Sequence, residues 1–418
     1  MENKLKITPL NAWHRENYGN MADFGGFDMP LWYSNIGVKK EHLAVLESVG
    51  IFDTSHMACI MVNGEDAFKL LQLCFSRDIT YLKHGRCGYG VILNNKGHVI
   101  DDAIVYCFSK TDYMVCVNAG MGSSISSHFK AHRENLLVNI TDLSEKLAKI
   151  DIQGKNSAKI LSKLLKHPEL VFDKMPYFSF KGHFNENSSF ALDAVFKDKT
   201  CALISRSGYT GEFGFEIFVK PEFIVKIWHD ILNTGKEFNI IPCGLGARDS
   251  LRTGAVLPLS HQDIGDWKFI NNPWIFALPF DSDKKGFTKD FIGKQALCDS
   301  SLDKFTFPFA GENLKKIGTG KDSMVIDKYG SNIGYVLSCA TDMGIGWHKN
   351  KILSIASPNV SGFKAKGISC GFVKVNRKLD YGEKLLLAKG NREIQVTVLK
   401  DIRPDRTARK TISSFLLN

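Results

Sequence analysis

GYGVILNNKGHVIDDAIVYCFSKTDYMVCVNAG, Gly88 to Gly120, holds three apolar runs separated by two clusters of turn-forming residues. Asn94-Asn95-Lys96-Gly97 and Ser109-Lys110-Thr111-Asp112 suit tight turns, so the runs read as adjacent antiparallel strands. In the middle run Ala103, Val105 and Cys107 alternate with Ile104, Tyr106 and Phe108. Consecutive strand residues point to opposite faces. Of the neighbouring carboxylates Asp101 and Asp102, only one can therefore face the interior, and the other is expected to face water. If Asp102 and Asn118 serve one ligand they must sit opposite each other, which places Phe108 across from Asp112 and predicts a three-residue loop, 109–111.

Outward from this hairpin, strands and amphipathic helices alternate. The strand ACIMVNG and the helix EDAFKLLQLCF precede it. The strand KLAKIDIQG, the helix KNSAKILSKLL, the strands CALISR and FEIFV and the helix PEFIVKIWHDILNTG follow. One order of elements thus occurs twice in the first 240 residues, which argues for α+β layers rather than one doubly wound sheet. From about Phe305 short strands alternate with Gly, Asn and Ser turns and helices vanish, the texture of a C-terminal β-barrel or sandwich.

The chain has 418 residues, 44% of them hydrophobic, so it is globular and long enough for more than one core. Its formal net charge is +10, yet acidic and basic residues are interspersed. None of the ten cysteines forms a C-x-x-C pair and several sit in apolar runs, as expected of small core residues in a reducing compartment. The first residues lack an apolar signal core and no uncharged run approaches a membrane span, so a cytoplasmic location is expected.

Common cofactor and nucleophile signatures are missing. A third glycine of a dinucleotide loop begun by Gly244 and Gly246 would fall on Asp249. There is no phosphate loop, H-E-x-x-H or G-x-S-x-G, and the twelve histidines are scattered, so no metal is expected. What stands out is a set of polar side chains at strand ends and turns: Tyr89, Asp102, Asn118, Tyr209, Glu216 and Arg248. Together they would suit a planar ligand rich in hydrogen-bonding groups. Singly, Asp102 and Asn118 could be turn or cap residues and Arg248 a surface charge at a helix start.

The segments GGFDMPLWY, EHLAVLESVGIFDTSHM, GYGVILNNKGHVIDDAIVY, VNAG, LSEKLAKIDIQG, SGYTGEFGFEIFV, PCGLGARDSLR and DFIGKQAL occur in that order. On these segments the chain resembles the aminomethyltransferase (T-protein) family of the glycine cleavage system over nearly its whole length. The resemblance implies a tetrahydrofolate enzyme: a folate-binding region, 1–300, of ferredoxin-like and antiparallel-sheet subdomains around a central opening, and a C-terminal β-barrel domain, 305–418. It implies Asp102 as catalytic acid, Glu216 and Tyr209 as pterin contacts, Tyr89 and Asn118 as further folate contacts, Arg248 in the GLGARD position and Met57 as an apolar wall. Asp101 is left a lesser, turn or solvent-facing part. The implied partners are a lipoyl carrier protein (H-protein) and folate, possibly polyglutamylated, with no nucleic acid and no membrane. A basic entrance would speed the encounter with either acidic partner.

The chain departs from that pattern at Thr253–Val256, at Ser260, at Trp274 and in an apparent insertion around 341–368. These changes leave two other readings open: a folate-dependent demethylase or one-carbon transferase using a small methyl donor, and a non-catalytic folate-binding protein. Against the second, the stretch KGFTKDFIGKQ has no cysteine where such relatives carry one.

Overall fold

Every second residue of the strand Val99–Ser109 meets a different layer of the protein. Ala103, Val105 and Cys107 enter a core with Leu70 and Leu71 of the helix Ala67–Cys74 and Ile125 and Phe129 of the helix Gly122–Ala131. Ile104, Tyr106 and Phe108 face the other way, against Phe180, Leu203 and Phe218 of a second sheet. In this computed structural model, which describes residues 4–298, 304–358 and 360–416, the strand belongs to a five-stranded antiparallel sheet. Its order is Arg86–Leu93, Val99–Ser109, Asp112–Val117, Ala58–Asn63 and Asn139–Asp142.

The expected pairing of the hairpin holds from Ala103 opposite Val117 to Cys107 opposite Tyr113, which puts Asp102 across from Asn118. The predicted loop is one residue too long. Ser109 pairs with Asp112 across a two-residue turn, whose backbone twist matches that of the strands, and the spare residue is absorbed as a bulge at Phe108. The bulge lies at the far end from Asp102, so it leaves the functional register intact. Asp101 departs further from expectation. It is fully buried rather than solvent-facing, because helices cover one face of the sheet and the second sheet covers the other.

The second sheet has the order Phe180–Gly182, Leu203–Ser205, Gly214–Val219, Ala148–Gln153, Gly50–Asp53 and Ile241–Pro242. Only the last pair is parallel. In Ala148–Gln153 the isoleucines Ile150 and Ile152 pack with Ile160, Leu161, Ile227 and Trp228 beneath the helices Ser157–Leu164 and Pro221–Gly235. Period-two alternation sends Lys149, Asp151 and Gln153 to the opposite face, beside Glu216. The two sheets, each backed by helices, therefore pack face to face, and beyond that apolar contact polar side chains from both line one central opening.

The third part is a closed six-stranded barrel, ordered Phe305–Gly311, Ile368–Val375, Asn332–Asp342, Gly320–Ile326, Lys384–Lys389 and Arg392–Val398. Phe309, Val325, Val336, Val373, Leu387 and Val398 fill it. Helix does not vanish entirely after Phe305, since the short helix Ser413–Leu416 follows the barrel. The insertion folds as a hairpin, Ile345–His348 with Lys351–Ser354, pinned by the Trp347 indole N–H donating to the Gly311 carbonyl at 2.7 Å.

A buried charge cluster fastens the barrel to the layers before it. Asp342 lies 2.9 Å from His42 Nε2 on the helix Val38–Glu47 and accepts from Arg403, whose Nε also meets Glu212 at 3.1 Å. Burial alone would raise the Asp342 pKa; Arg403 and His42 outweigh it and hold the carboxyl below its ordinary range. A β-carbon at Gly254 would stand 1.9 Å from Asp342 Oδ2, so only glycine allows this approach.

Candidate active site

Polar side chains of both sheets border a cavity of about 1480 Å³. Met57, Tyr89, Asp102, Asn118, Tyr209, Glu216 and Arg248, spread over nearly 200 positions of the chain, all line it. Each is delivered by a different stretch: Tyr89 and Asp102 by neighbouring strands of the first sheet, Asn118 by the strand end beside them, Glu216 by the second sheet. Arg248 comes from the first turn of the helix Leu245–Gly254.

Asp102 is gripped from both sides. Its Oδ1 accepts from Asn118 Nδ2 at 2.6 Å and its Oδ2 from the Tyr89 hydroxyl at 2.9 Å. Asn118 is itself set by Asp101, which accepts from the same Nδ2 at 2.7 Å and from the Asn118 backbone N–H at 2.9 Å. Two carboxylates can be served only by donors, so the amide nitrogen must face them. Burial, with the neighbouring Asp101 charge, raises the Asp102 pKa to about 7 against the lowering effect of Asn118, Tyr89 and His261. His261 Nε2, on a half-exposed ring, lies 3.3 Å from Asp101 Oδ1, and this contact raises the His261 pKa. A carboxyl poised near neutrality can hold or accept a proton at working pH.

Across the cavity, opposite charges alternate. Glu216 accepts from Lys149 Nζ and the Ser207 hydroxyl, with the Tyr106 hydroxyl at 3.4 Å. Lys149 Nζ also reaches Asp151 Oδ1 at 2.6 Å, and Arg248 Nη1 reaches Asp151 Oδ2 at 2.6 Å. Two cations thus balance two carboxylates out of water. Burial would lower the Lys149 pKa, but Asp151 and Glu216 outweigh it and hold it above the usual lysine range. Burial would raise the Asp151 pKa, but Lys149 and Arg248 bring it down to about 2. The Arg248 guanidinium lies 4.8 Å from the centre of the Tyr209 ring, whose hydroxyl donates to the Pro258 carbonyl. Met57 Sδ sits 3.9 Å from both Arg248 Nη2 and Lys149 Nζ.

The residues named from the sequence therefore meet at one place, with Asp101, which the sequence reading gave a lesser part, and three others that it left out. Asp101 orients Asn118; Lys149, Asp151 and Ser207 hold Glu216 and Arg248. The signal for two of them lies in KIDIQ, where Lys149 and Asp151 share one face of a strand whose other face is isoleucine. Charges repeated every second residue in a central strand need a polar counterpart. Of the departures from the family pattern, Val256 and Trp274 border the same cavity, and the Trp274 indole donates to the Val256 carbonyl at 2.8 Å.

Comparison with known proteins converges with this geometry. Residues 10–268 match the family model of the GCVT N-terminal domain. The chain is 35% identical over 332 residues to an aminomethyltransferase of Clostridium botulinum (strain Okra / Type B1), spanning 79% of this chain and 84% of that protein. It is also 35% identical over 343 residues to the aminomethyltransferase of Koribacter versatilis (strain Ellin345), spanning 81% and 85%. Among solved structures, the glycine cleavage system aminomethyltransferase T from Bartonella henselae superposes with a TM-score of 0.76 at 25% identity, covering 94% of this chain and 97% of that one.

Proposed function

The chain belongs to the aminomethyltransferase family and is an enzyme of aminomethyl transfer; we propose that the reaction takes place in the central cavity, with Asp102 as its acid–base group. In this reading residues 1–300 form the folate-binding region and 305–418 the barrel domain. The aminomethyl carbon passes from a lipoyl carrier protein to tetrahydrofolate, giving 5,10-methylenetetrahydrofolate and ammonia.

The residues present fit a folate. The cavity of about 1480 Å³ exceeds the ~300–1,000 Å³ of an ordinary ligand pocket, leaving room for a folate and the tip of a lipoyl arm. Glu216 offers a fixed carboxylate to an aminopyrimidinone edge, and each of its oxygens can accept more than one hydrogen bond. Met57 gives an apolar surface beside it, and Tyr209, braced by Arg248 and Pro258, a flat one. When bound, tetrahydrofolate supplies the nucleophilic N5, with N10 closing the ring of the product as ammonia leaves and the carrier keeps its dihydrolipoyl thiols.

The chain's own contribution is orientation and charge. Asp102, locked by Asn118 and Tyr89, lines the cavity and would face the reacting amines with a carboxyl that holds a proton below about pH 7 and a negative charge above it. In the ionised form it stabilises positive charge developing on those amines. The observation that carries this reading is the convergence of Asp102, Asn118, Glu216 and Arg248 on one cavity. A small methyl donor is not favoured, since the relatives covering four-fifths of the chain are aminomethyltransferases.

Purified protein mixed with tetrahydrofolate and aminomethylated lipoyl carrier is expected to release ammonia and form methylene-folate. No product there, with methyl-folate formed from a small methyl donor, would overturn the assignment. Within the same site, Glu216→Gln keeps the shape of the side chain but removes its charge. It should weaken folate binding by ~10–100-fold, the range of a lost hydrogen bond to a charged group, with turnover at saturating folate little changed. Titration of folate by fluorescence quenching measures the first effect and steady-state kinetics the second.

A further inference from the structure

On the far side of the first sheet from the cavity, the ends of two helices bring three metal-ligating side chains together. Cys74 closes the helix Ala67–Cys74; His128 lies in the last turn of Gly122–Ala131 and His132 directly follows it. The Cys74 sulfur and one ring nitrogen from each histidine lie within 4.8 Å of one another. Ligand atoms around a tetrahedral zinc stand about 3.4–3.6 Å apart, given bonds of roughly 2.0–2.3 Å, so closing the site takes roughly 1.4 Å of movement at most.

Two further observations point to a ligand. The Nε2 of His128 is buried and has no hydrogen-bond partner among the described residues, a costly state for a polar atom in a protein interior. The Nδ1–H of His132 donates to the His128 carbonyl at 2.9 Å. That bond selects the tautomer whose Nε2 keeps its lone pair, the arrangement by which backbone carbonyls orient metal-bound histidines. The two imidazole centres are 4.5 Å apart, one helical turn from each other on the same face.

We propose that Cys74, His128 and His132 form a binding site for a zinc-class divalent cation, with water completing the tetrahedron. Thiolate and imidazole are the ligands that select such borderline cations over magnesium or calcium. Binding breaks the S–H bond of Cys74 and releases its proton to solvent, with no change of oxidation state. The bound ion would tie the ends of two helices that share one core. A search for neighbouring ligands in the sequence misses the site because Cys74 lies far upstream of the histidines, and only the fold of both helices onto one sheet unites them.

The chelator-stripped protein is to be titrated with Co²⁺ and then Zn²⁺. Expected are one equivalent of Co²⁺ per chain, visible bands of a four-coordinate ion, a thiolate-to-cobalt charge-transfer band, and displacement of all of these by Zn²⁺. Cys74→Ser should abolish the charge-transfer band, and Cys74→Ser and His132→Gln should each lower affinity by more than about tenfold. His132 is only partly buried, so its variant tests the site even if replacement of Cys74 disturbs folding. At one Zn²⁺ concentration near the wild-type dissociation constant, the melting temperature of the wild type should rise more than that of His132→Gln. Less than one equivalent bound, or the same affinity in both variants as in the wild type, would overturn the proposal.

Discussion

Replacing Asp102 with Asn is expected to lower the turnover of aminomethyl transfer by about 10²–10⁴-fold, the usual contribution of one positioned acid or base, in a protein that stays folded. Asparagine has the shape of aspartate but cannot take up charge. One of its two polar groups would also present donors where the wild-type carboxylate accepts from Asn118 Nδ2 and the Tyr89 hydroxyl. The defect should lie in turnover more than in folate affinity, because Glu216 and Arg248 remain in place across the cavity. The pH profile separates loss of chemistry from general damage. With the Asp102 pKa raised to about 7, wild-type turnover should climb through neutrality as the carboxyl ionises, whereas residual Asp102→Asn activity should lack that rise.

Stability offers a second check with a defined sign. Between the ordinary aspartate pKa near 3.8 and about 7, the folded protein holds a proton on Asp102 that the unfolded chain has released. The unfolded state binds fewer protons over that window, so this group's contribution to stability is complete below it and declines as pH rises through it. Buried Glu41, also raised to about 7, contributes a decline to both proteins, so denaturant melts across that range should show a steeper decline in the wild type than in Asp102→Asn. Equal turnover in the two proteins would remove Asp102 from the chemistry.

Lys149→Met should destabilise the protein by about 3–5 kcal/mol, the range for breaking a buried ion pair by removing one partner. Lys149 is 3% exposed and Glu216 5%, and the lysine ammonium serves Glu216 and Asp151 together. Methionine fills much of the space and supplies no charge, leaving Glu216 without its cation and Asp151 with Arg248 alone. Glu216 would then meet the desolvation cost with only the Ser207 and Tyr106 hydroxyls as donors. Adding Glu216→Gln to Lys149→Met should recover part of the loss, since the double variant removes one charge of each sign. Urea melts of the two single variants and the double variant measure the coupling. Strictly additive losses would mean that the pair is not coupled.

Much of this arrangement was legible in the chain because strands obey a period of two. The alternation of Ala103, Val105 and Cys107 with Ile104, Tyr106 and Phe108 is enough to set Asp102 and Asn118 opposite each other. The turn residues that follow fix the hairpin to within one position. The fate of Asp101 could not be read in the same way, since alternation says which residues share a face and not what covers that face. Asp101 is buried because other layers cover both faces of its sheet, and its carboxylate is met by Asn118 and His261. Lys149 and Asp151 were hidden for a related reason: KIDIQ alternates visibly, but Glu216 and Arg248, which make its charges tolerable, arrive from 60 to 100 positions away. Motif resemblance pointed to the cavity wall, and only the packing of the two sheets disclosed the ion pairs behind it.

The bridge from His42 through Asp342 to Arg403 and Glu212 joins elements at both extremes of the chain. If the barrel came away, Asp342 would leave with it while His42, Glu212 and the Thr210 and Leu251 carbonyls stayed behind, so Arg403, which bonds to both sides, would lose partners either way. Charges now matched in the dark would be stranded on two raw surfaces. Partial detachment is therefore penalised well before it frees any chain entropy worth having. The three layers should melt as a single cooperative unit, and a truncated version ending before Phe305 should be a poor substitute for the whole.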